Sequence, residues 1–202
     1  MPPKRNCGNC WTDKNFMQFQ AIFNCPNLTC LCLTDCLLLN GETFRLIKYL
    51  ENLRKLKITR AIDLSTDDFC DVFNSPNLRK IEDLDVSGCW RIGEAGLRTA
   101  TENLPRLCSL SLKNCKSING RCIPHLARCA HLAFLNLSHT CIDSNELADL
   151  AIYTKQLKFL TIDRDMCDYF SLQELKNNLS KLKINVSSSE FVKNEESLID
   201  FD

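Results

Sequence analysis

Apolar residues along the chain recur in the order Leu-x-x-Leu-x-Leu, with Ile or Val at some of the three positions. Successive starts lie 25, 28, 26, 25, 25 and 22 residues apart. Self-similarity at such a period indicates tandem structural repeats rather than one irregular domain. The template matches seven stretches, which are residues 28–33, 53–58, 81–86, 107–112, 132–137, 157–162 and 179–184.

Each repeat predicts a strand, a turn and a helix. The last two apolar positions of the template alternate with polar ones, which favours a short strand with one buried face. A second apolar group follows at helical spacing, for example Phe44, Ile47 and Leu50 in one repeat. That spacing is typical of a helix that buries one side.

The two kinds of element need different amounts of room. Strands stack at about 4.8 Å, whereas packed helices need about 8–10 Å. The array must therefore bend, with the helices on the wider side. We predict an α/β solenoid of horseshoe shape, with parallel strands on the concave face and helices on the convex face.

The pattern resembles leucine-rich repeats, and specifically the cysteine-containing class of F-box/leucine-rich-repeat proteins. The markers are "LDVSGCWRIGEAGL" and "LSLKNCKSINGRCI", in which a cysteine lies three residues past the last apolar strand position. Those cysteines are Cys89 and Cys115, and Cys36 has the same position in an earlier repeat. The motif is partly degenerate, because the other repeats place there Ala61, Thr140 and Asp165.

The resemblance predicts three segments: residues 1–9 as an N-terminal segment, 10–186 as the leucine-rich-repeat domain, and 187–202 as an acidic flexible tail. The domain would hold one partial repeat, six repeats and a closing strand. "GNCW" resembles "SGCW", with Cys10 in the role of Cys89, so we expect the chain to begin inside a repeat whose strand is missing. The tail also contains apolar residues that can dock, namely Phe191, Leu198, Ile199 and Phe201.

Charge and composition narrow the function classes. The 202 residues carry 25 basic and 25 acidic side chains, and this balance argues against nucleic acid as a partner. No apolar run approaches the roughly 18 residues of a membrane span, so we expect no membrane partner. Fourteen cysteines without a secretory signal indicate reduced thiols in a cytoplasmic or nuclear protein.

Candidate chemistry is sparse, and we predict no catalytic residues and no cofactor. His125, His131 and His139 fall in a helix, before a strand and in a turn, so they form no set with a nucleophile. Two zinc sets deserve consideration, one with Cys7, Cys10, Cys25 and Cys30 and one with Cys122, His125, Cys129 and His131. Because the repeat explains several of these cysteines, we predict no metal site.

The concave face is the candidate binding surface, since the side chains between template positions point to solvent there and form columns across the repeats. In this register Lys181 follows Phe159 in the first column, and Lys183 follows Thr161 in the second. The predicted partner-binding residues are Lys55, Lys57, Asp83, Asp85, Ser109, Ser111, Phe134, Asn136, Phe159 and Thr161.

Two features of these columns indicate binding. Phe134 and Phe159 should form an exposed aromatic pair, which is either an interface anchor or is covered by the tail or merely tolerated. Lys55 and Lys57 should lie beside Asp83 and Asp85, as a solvated charge ladder or as a recognition strip for a charged peptide.

The sequence therefore predicts a non-catalytic protein-interaction module with a protein ligand on its concave face. The resemblance implies substrate recognition in a cullin-RING (SCF-type) ubiquitin ligase, with ligase components among the partners. The residues of an F-box are absent from the printed sequence, which leaves the usual adaptor contact unexplained. The alternative is a repeat-only structural scaffold or assembly factor, cytoskeletal or axonemal, unrelated to ubiquitination.

Overall fold

One sheet runs through the protein, and its strands lie side by side in chain order. The structure is a computed structural model that describes residues 10–11, 25–187 and 197–198. Within these ranges the strands are β1 Cys10–Trp11, β2 Cys30–Leu33, β3 Lys55–Ile58, β4 Asp83–Asp85, β5 Ser109–Ser111, β6 Phe134–Asn136, β7 Phe159–Asp163, β8 Lys183–Ser187 and β9 Ser197–Leu198.

Neighbouring strands from β1 to β8 pair in parallel, as tandem strand–turn–helix repeats require. The short β9 pairs antiparallel with β8. The predicted α/β leucine-rich-repeat horseshoe is thus confirmed, with the strands on one face and the helices on the other.

Helical segments connect the strands. The α-helices are α1 Gly41–Arg45, α2 Thr66–Phe73, α3 Gly93–Asn103, α4 Ser144–Ala148, α5 Leu150–Tyr153 and α6 Tyr169–Asn178. The 3-10 helices are Leu46–Tyr49, Pro76–Lys80, Gly120–Arg128 and Arg164–Met166. Pro124 lies inside the nine-residue 3-10 helix, where its missing N–H disfavours a regular α-helix.

The core lies between the sheet and the helices. Leu56, Leu84, Leu110 and Leu135 are register partners on consecutive strands, and each is 3% exposed or less. On the helical side Phe44 packs edge-to-face on Phe69, with ring centroids 5.2 Å apart. One continuous apolar core therefore extends across the repeats.

A left-handed turn residue joins successive repeats. Gly88 has φ +74°, and its N–H donates to the Lys113 carbonyl of the next repeat. Arg60 and Asn114 have φ +57° and +60° and donate in the same way to the Ser87 and Ser138 carbonyls. The repeated turn conformation thus ties each repeat to the one that follows.

The cysteines of the repeat motif are buried next to these turns. Cys89 and Cys115 are 0% exposed, and their Sγ atoms donate to the Ile58 and Val86 carbonyls at 3.6 and 3.2 Å. Burial raises the pKa of both thiols, that of Cys115 to about 12. These two side chains are packing residues, as the motif predicts.

Two expectations for the N-terminal part are wrong. Cys10 lies in strand β1 opposite Cys32, not at the turn position of Cys89, so the first partial repeat does contribute a strand. Cys30 is disulfide-bonded, so the expectation of reduced thiols fails at this position. The predicted segment 1–9 lies outside the described residues.

The acidic tail is described at Ser197 and Leu198, which form β9; the rest of residues 188–202 lies outside the described ranges. Among the helices of the described ranges, none has the length and apolar character needed to cross a membrane.

Candidate protein-binding surface

The predicted columns from β3 to β7 are present in the structure. Cα register aligns the first column, which is Lys55, Asp83, Ser109, Phe134 and Phe159. It aligns the second in the same way, as Lys57, Asp85, Ser111, Asn136 and Thr161. All ten side chains alternate along their strands with the buried core residues, so they share the concave face.

Phe134 and Phe159 form an exposed stacked pair. Their ring centroids are 4.7 Å apart and their planes differ by 1°. Phe134 is 47% exposed and Phe159 is 40% exposed. Two adjacent exposed rings form a contiguous apolar patch, which is a feature of interaction surfaces, so the pair is the strongest binding candidate on this face.

The charge next to the pair comes from Lys183, and the predicted placement of Lys181 in this column is wrong. Register pairs Phe159 with Lys183 and Thr161 with Asn185. The Lys183 Nζ lies 6.0 Å from the Phe159 ring centroid, within range of a cation–π contact. We call Phe134, Phe159 and Lys183 the aromatic–lysine patch.

The final strand lies two residues further along the chain than the template match implied. Leu182 donates its N–H to the Leu179 carbonyl, as Leu157 does to the Thr154 carbonyl one repeat earlier. Leu182 therefore corresponds to Leu157, and one residue fewer separates it from the strand. Because the match at 179–184 ignored this deletion, it shifted the final strand by two residues.

Basic residues surround the aromatic–lysine patch on the side where the strands begin. His131, Lys155, Lys158 and Lys181 are exposed in the segments that lead into β6, β7 and β8. These segments, residues 129–133, 154–158 and 179–182, contain no Asp or Glu. The patch thus combines apolar area with a local excess of positive charge.

The two predicted Lys–Asp neighbours, Lys55 with Asp83 and Lys57 with Asp85, form the Lys–Asp strip. They differ in whether an ion pair forms. Lys57 Nζ lies 2.9 Å from Asp85 Oδ2, so the predicted cross-strand ion pair forms in the second column. Lys55 and Asp83 are register partners, but no ion pair joins their charged groups. Opposite charges on adjacent strands are therefore only partly neutralised within the strip.

Several second-column groups are occupied by local hydrogen bonds. Ser87 Oγ donates to Asp85 Oδ1 and lies 2.9 Å from Ser111 Oγ. Two repeats on, Ser138 Oγ donates in the same way to Asn136 Oδ1, and the Ser138 backbone N–H donates to the same oxygen at 3.0 Å. Because these groups already have hydrogen-bond partners, a ligand would gain less from contacting the second column than from contacting the aromatic–lysine patch.

The three histidines have different surroundings and share no contact partner among the described residues. His125 Nε2 is 3.2 Å from Glu94 Oε1 on α3, and His139 Nδ1 is 3.3 Å from Asp163 Oδ1 at the end of β7. His131 is exposed. Sequence reasoning did not foresee the pair of His139 with Asp163, although both positions close the strand ends of adjacent repeats.

The zinc candidates gain no support among the described residues. Across residues 25–187, no group of three or more His, Cys, Asp or Glu side chains is placed to hold a metal ion. Cys122 and Cys129 are buried in the core, and burial raises the pKa of both thiols, that of Cys129 to about 12. Cys7 lies outside the described residues.

A second exposed aromatic pair lies on the helical side, where it was not predicted. Tyr169 and Phe170 are 67% and 78% exposed and meet edge-to-face at 5.7 Å. They begin α6, ahead of the buried Leu172 and Leu175. The sequence did contain a signal for their exposure, because both aromatic residues precede the buried apolar positions Leu172 and Leu175 of this helix.

Comparison with known proteins supports the fold. No protein-family model matches the sequence. A chain of the yeast Rad7 and Elc1 complex aligns over 73% of this chain with a TM-score of 0.60 and 20% identity. A leucine-rich-repeat protein of Leptospira interrogans aligns over 81% with a TM-score of 0.54 and 19% identity.

These similarities concern part of the compared proteins. The alignments span 40% of the chain from the yeast complex and 38% of the Leptospira protein. The tropomodulin C-terminal domain of Caenorhabditis elegans is covered to 93%, with a TM-score of 0.54 and 12% identity. At these identities the comparisons establish a leucine-rich-repeat fold.

Proposed function

We propose that this protein is a non-catalytic interaction module that binds another protein through its concave face, with the aromatic–lysine patch as the anchor. The observation that carries the proposal is the exposed stack of Phe134 and Phe159. Repeat solenoids use such concave sheets as extended binding surfaces.

The patch favours a partner segment that is both apolar and acidic. Covering the two rings would remove apolar area from water, which contributes about 25 cal/mol per Å² before the costs of association. Lys183 and the basic residues around the patch would attract carboxylates and speed encounter. An extended segment with a large apolar side chain flanked by Asp or Glu meets both requirements.

The role in a ubiquitin ligase is a finer proposal. Its support is the motif resemblance to F-box/leucine-rich-repeat proteins, including the buried Cys36, Cys89 and Cys115. A similar fold also occurs in a chain of the Rad7 and Elc1 complex, which joins two proteins. On this proposal the concave face would hold a ligase substrate.

Affinity capture with paired variants tests the proposal. Phe134→Ala/Phe159→Ala in the full chain should reduce recovery of specific partners at least tenfold relative to the unsubstituted chain. The matched control is Tyr169→Ala/Phe170→Ala, which removes a more exposed aromatic pair from the helical side and should leave recovery unchanged. Recovered ligase components would support the finer proposal.

Equal recovery with both double variants would refute the assignment of the patch. Loss with the control alone would place the interface on α6 instead. Partners that depend on the patch but include no ligase component would refute the ligase role and keep the interaction module.

A further inference from the structure

Positive charge is distributed unevenly along this neutral chain. Residues 103–142 contain no Asp or Glu, whereas they carry five Lys or Arg side chains, which are Arg106, Lys113, Lys116, Arg121 and Arg128. Lys113 and Lys116 lie in the turn that follows β5, at the edge of the sheet where the strands end. This edge therefore has a local excess of positive charge.

An exposed tryptophan lies at the same edge, in the turn that follows β4. Trp90 is 54% exposed, and Arg91 next to it is also exposed. Ser117 Oγ, in the turn after β5, donates to the Trp90 carbonyl. Thr66 Oγ1, at the start of α2, donates to the Arg91 carbonyl. The turn is thus held by both neighbouring repeats, so a partner need not order its backbone on binding.

The cations next to Trp90 have no acidic partner among the residues that the structure describes. Neither the Arg91 guanidinium nor the Lys116 ammonium group is in an ion pair there. Lys57 on the concave face, by contrast, is paired with Asp85. We call Trp90, Arg91 and Lys116 the tryptophan edge. Its two positive charges are available to an external carboxylate.

An open polar groove of about 380 Å³ adjoins the tryptophan edge. Its lining residues are Ser65, Thr66, Asp67, Arg91 and Ser117. Asp67, the acidic residue of this lining, belongs to α2, two repeats before Lys116. A carboxylate of a bound segment would therefore be attracted toward Lys116 and repelled from Asp67, so the charges of the edge favour one orientation of an acidic segment.

We propose that the tryptophan edge is a second protein-binding surface, which takes an acidic segment of a partner protein. The Trp90 indole covers an apolar residue of that segment, and Arg91 and Lys116 pair with its carboxylates. Tryptophan and arginine are enriched among the residues that dominate binding energy at protein interfaces. A protein partner is favoured over nucleic acid, because the whole chain has no net charge and Trp90 is a single ring for base stacking.

This surface is separate from the aromatic–lysine patch. Phe134 and Phe159 are the first residues of β6 and β7, whereas the tryptophan edge follows the ends of β4 and β5. The two surfaces thus lie at opposite ends of the strands and on different repeats. The inference goes beyond the proposed function and does not depend on it.

The fluorescence of Trp90 measures binding at this edge directly. The chain has two tryptophans, Trp11 and Trp90, so Trp11→Phe in the full chain leaves one indole. A synthetic peptide of Asp and Leu residues should shift the Trp90 emission to shorter wavelength, because covering the indole removes it from water. Arg91→Glu/Lys116→Glu should weaken the peptide affinity about tenfold or more, and added salt should weaken it progressively.

The matched control is Arg79→Glu/Lys80→Glu, which makes the same change of charge at exposed residues ahead of β4 and should leave the affinity unchanged. Thermal unfolding shows whether each variant is folded. If Arg91→Glu/Lys116→Glu is unfolded, Lys116→Glu alone should still lower the affinity. Phe134→Ala/Phe159→Ala should leave the Trp90 response intact, so this proposal and the concave-face proposal can fail separately.

Three results would overturn the proposal. The first is a Trp90 emission that the peptide does not shift. The second is an equal loss of affinity in the Arg79→Glu/Lys80→Glu control, or loss of the shift in Phe134→Ala/Phe159→Ala. The third is a larger shift with a single-stranded oligothymidylate or with phosphatidylserine vesicles than with the peptide, which would assign the edge to nucleic acid or to a membrane surface instead.

Discussion

The rings of Phe134 and Phe159 stack within 1° of parallel at a centroid separation of 4.7 Å. That separation matches the spacing of about 4.8 Å between hydrogen-bonded strands. Like side chains at equivalent positions of neighbouring parallel strands are therefore placed at stacking distance by the backbone itself. Register, rather than burial, assembles the candidate anchor.

Removing the two rings should affect stability much less than removing a core residue. Phe134→Ala/Phe159→Ala should lower the free energy of unfolding by about 0.5–1.5 kcal/mol through the lost ring contact, in addition to the loss from the half-buried area of the rings. Leu110→Ala, at a position 1% exposed, should lower it by about 2–5 kcal/mol. Urea unfolding compares the two; similar losses would mean that the rings serve the fold.

The left-handed turn should tolerate glycine and resist alanine. In Gly88→Ala the new Cβ would lie 3.2 Å from Arg60 Cγ at φ +74°, so we expect a loss of about 1–2 kcal/mol. The matched control is Arg60→Gly, at φ +57° in the preceding turn. It should stay within about 0.5 kcal/mol of the unsubstituted chain in thermal unfolding, because relief of strain offsets the flexibility of glycine. A stable Gly88→Ala variant together with a destabilised Arg60→Gly variant would contradict the proposed role of the left-handed turn.

The Lys57–Asp85 ion pair should contribute little, because Lys57 is half exposed. A double-mutant cycle with alanine should give a coupling of about 0.2–1 kcal/mol, decreasing with added salt. The same cycle on Lys55 and Asp83 should give a coupling near zero, since no ion pair joins them. A salt-independent coupling, or equal couplings in both cycles, would disagree with the geometry.

Burial of Cys115 predicts a pH effect on the alkaline side. Desolvation raises its pKa from 9.0 to about 12, so the unfolded chain releases this proton first as the pH rises. The stabilisation that comes from the neutral thiol is complete below pH 9.0 and is lost as the pH approaches 12. The free energy of unfolding should therefore decline across this window by up to about 1.4 kcal/mol per pH unit from this group.

Cys115→Ala should make that decline shallower, and Cys141→Ala, at an exposed thiol, should not. Denaturant unfolding at a series of pH values measures both slopes. An unchanged slope in Cys115→Ala would show that another group dominates the alkaline loss.

The interior repeats were predictable because their period is regular. Leu84, Leu110 and Leu135 follow one template, so their register and the adjacent columns follow directly from the sequence. The register of the last strand was predicted wrongly, because one residue is missing before Ile184 and the template still matches the sequence in a shifted position. The correct signal was the 25-residue step from Leu157 to Leu182, equal to the step before it.

Local chemistry was harder to predict than register. The four-residue likeness of "GNCW" to "SGCW" suggested a turn for Cys10, but the longer-range pairing with Cys32 sets its place in β1. Both Lys–Asp neighbours looked equivalent, yet one of them forms an ion pair. Side-chain rotamers decide such contacts, and a repeat pattern does not encode them.

A protein partner bound at the aromatic–lysine patch would shield the strands of the concave sheet from solvent. Hydrogen exchange of the full chain, with and without a captured partner, measures this shielding. We expect slower exchange in β6, β7 and β8, with the convex helices unchanged. Slower exchange confined to α5 and α6, around Tyr169 and Phe170, with the strands unaffected, would contradict it.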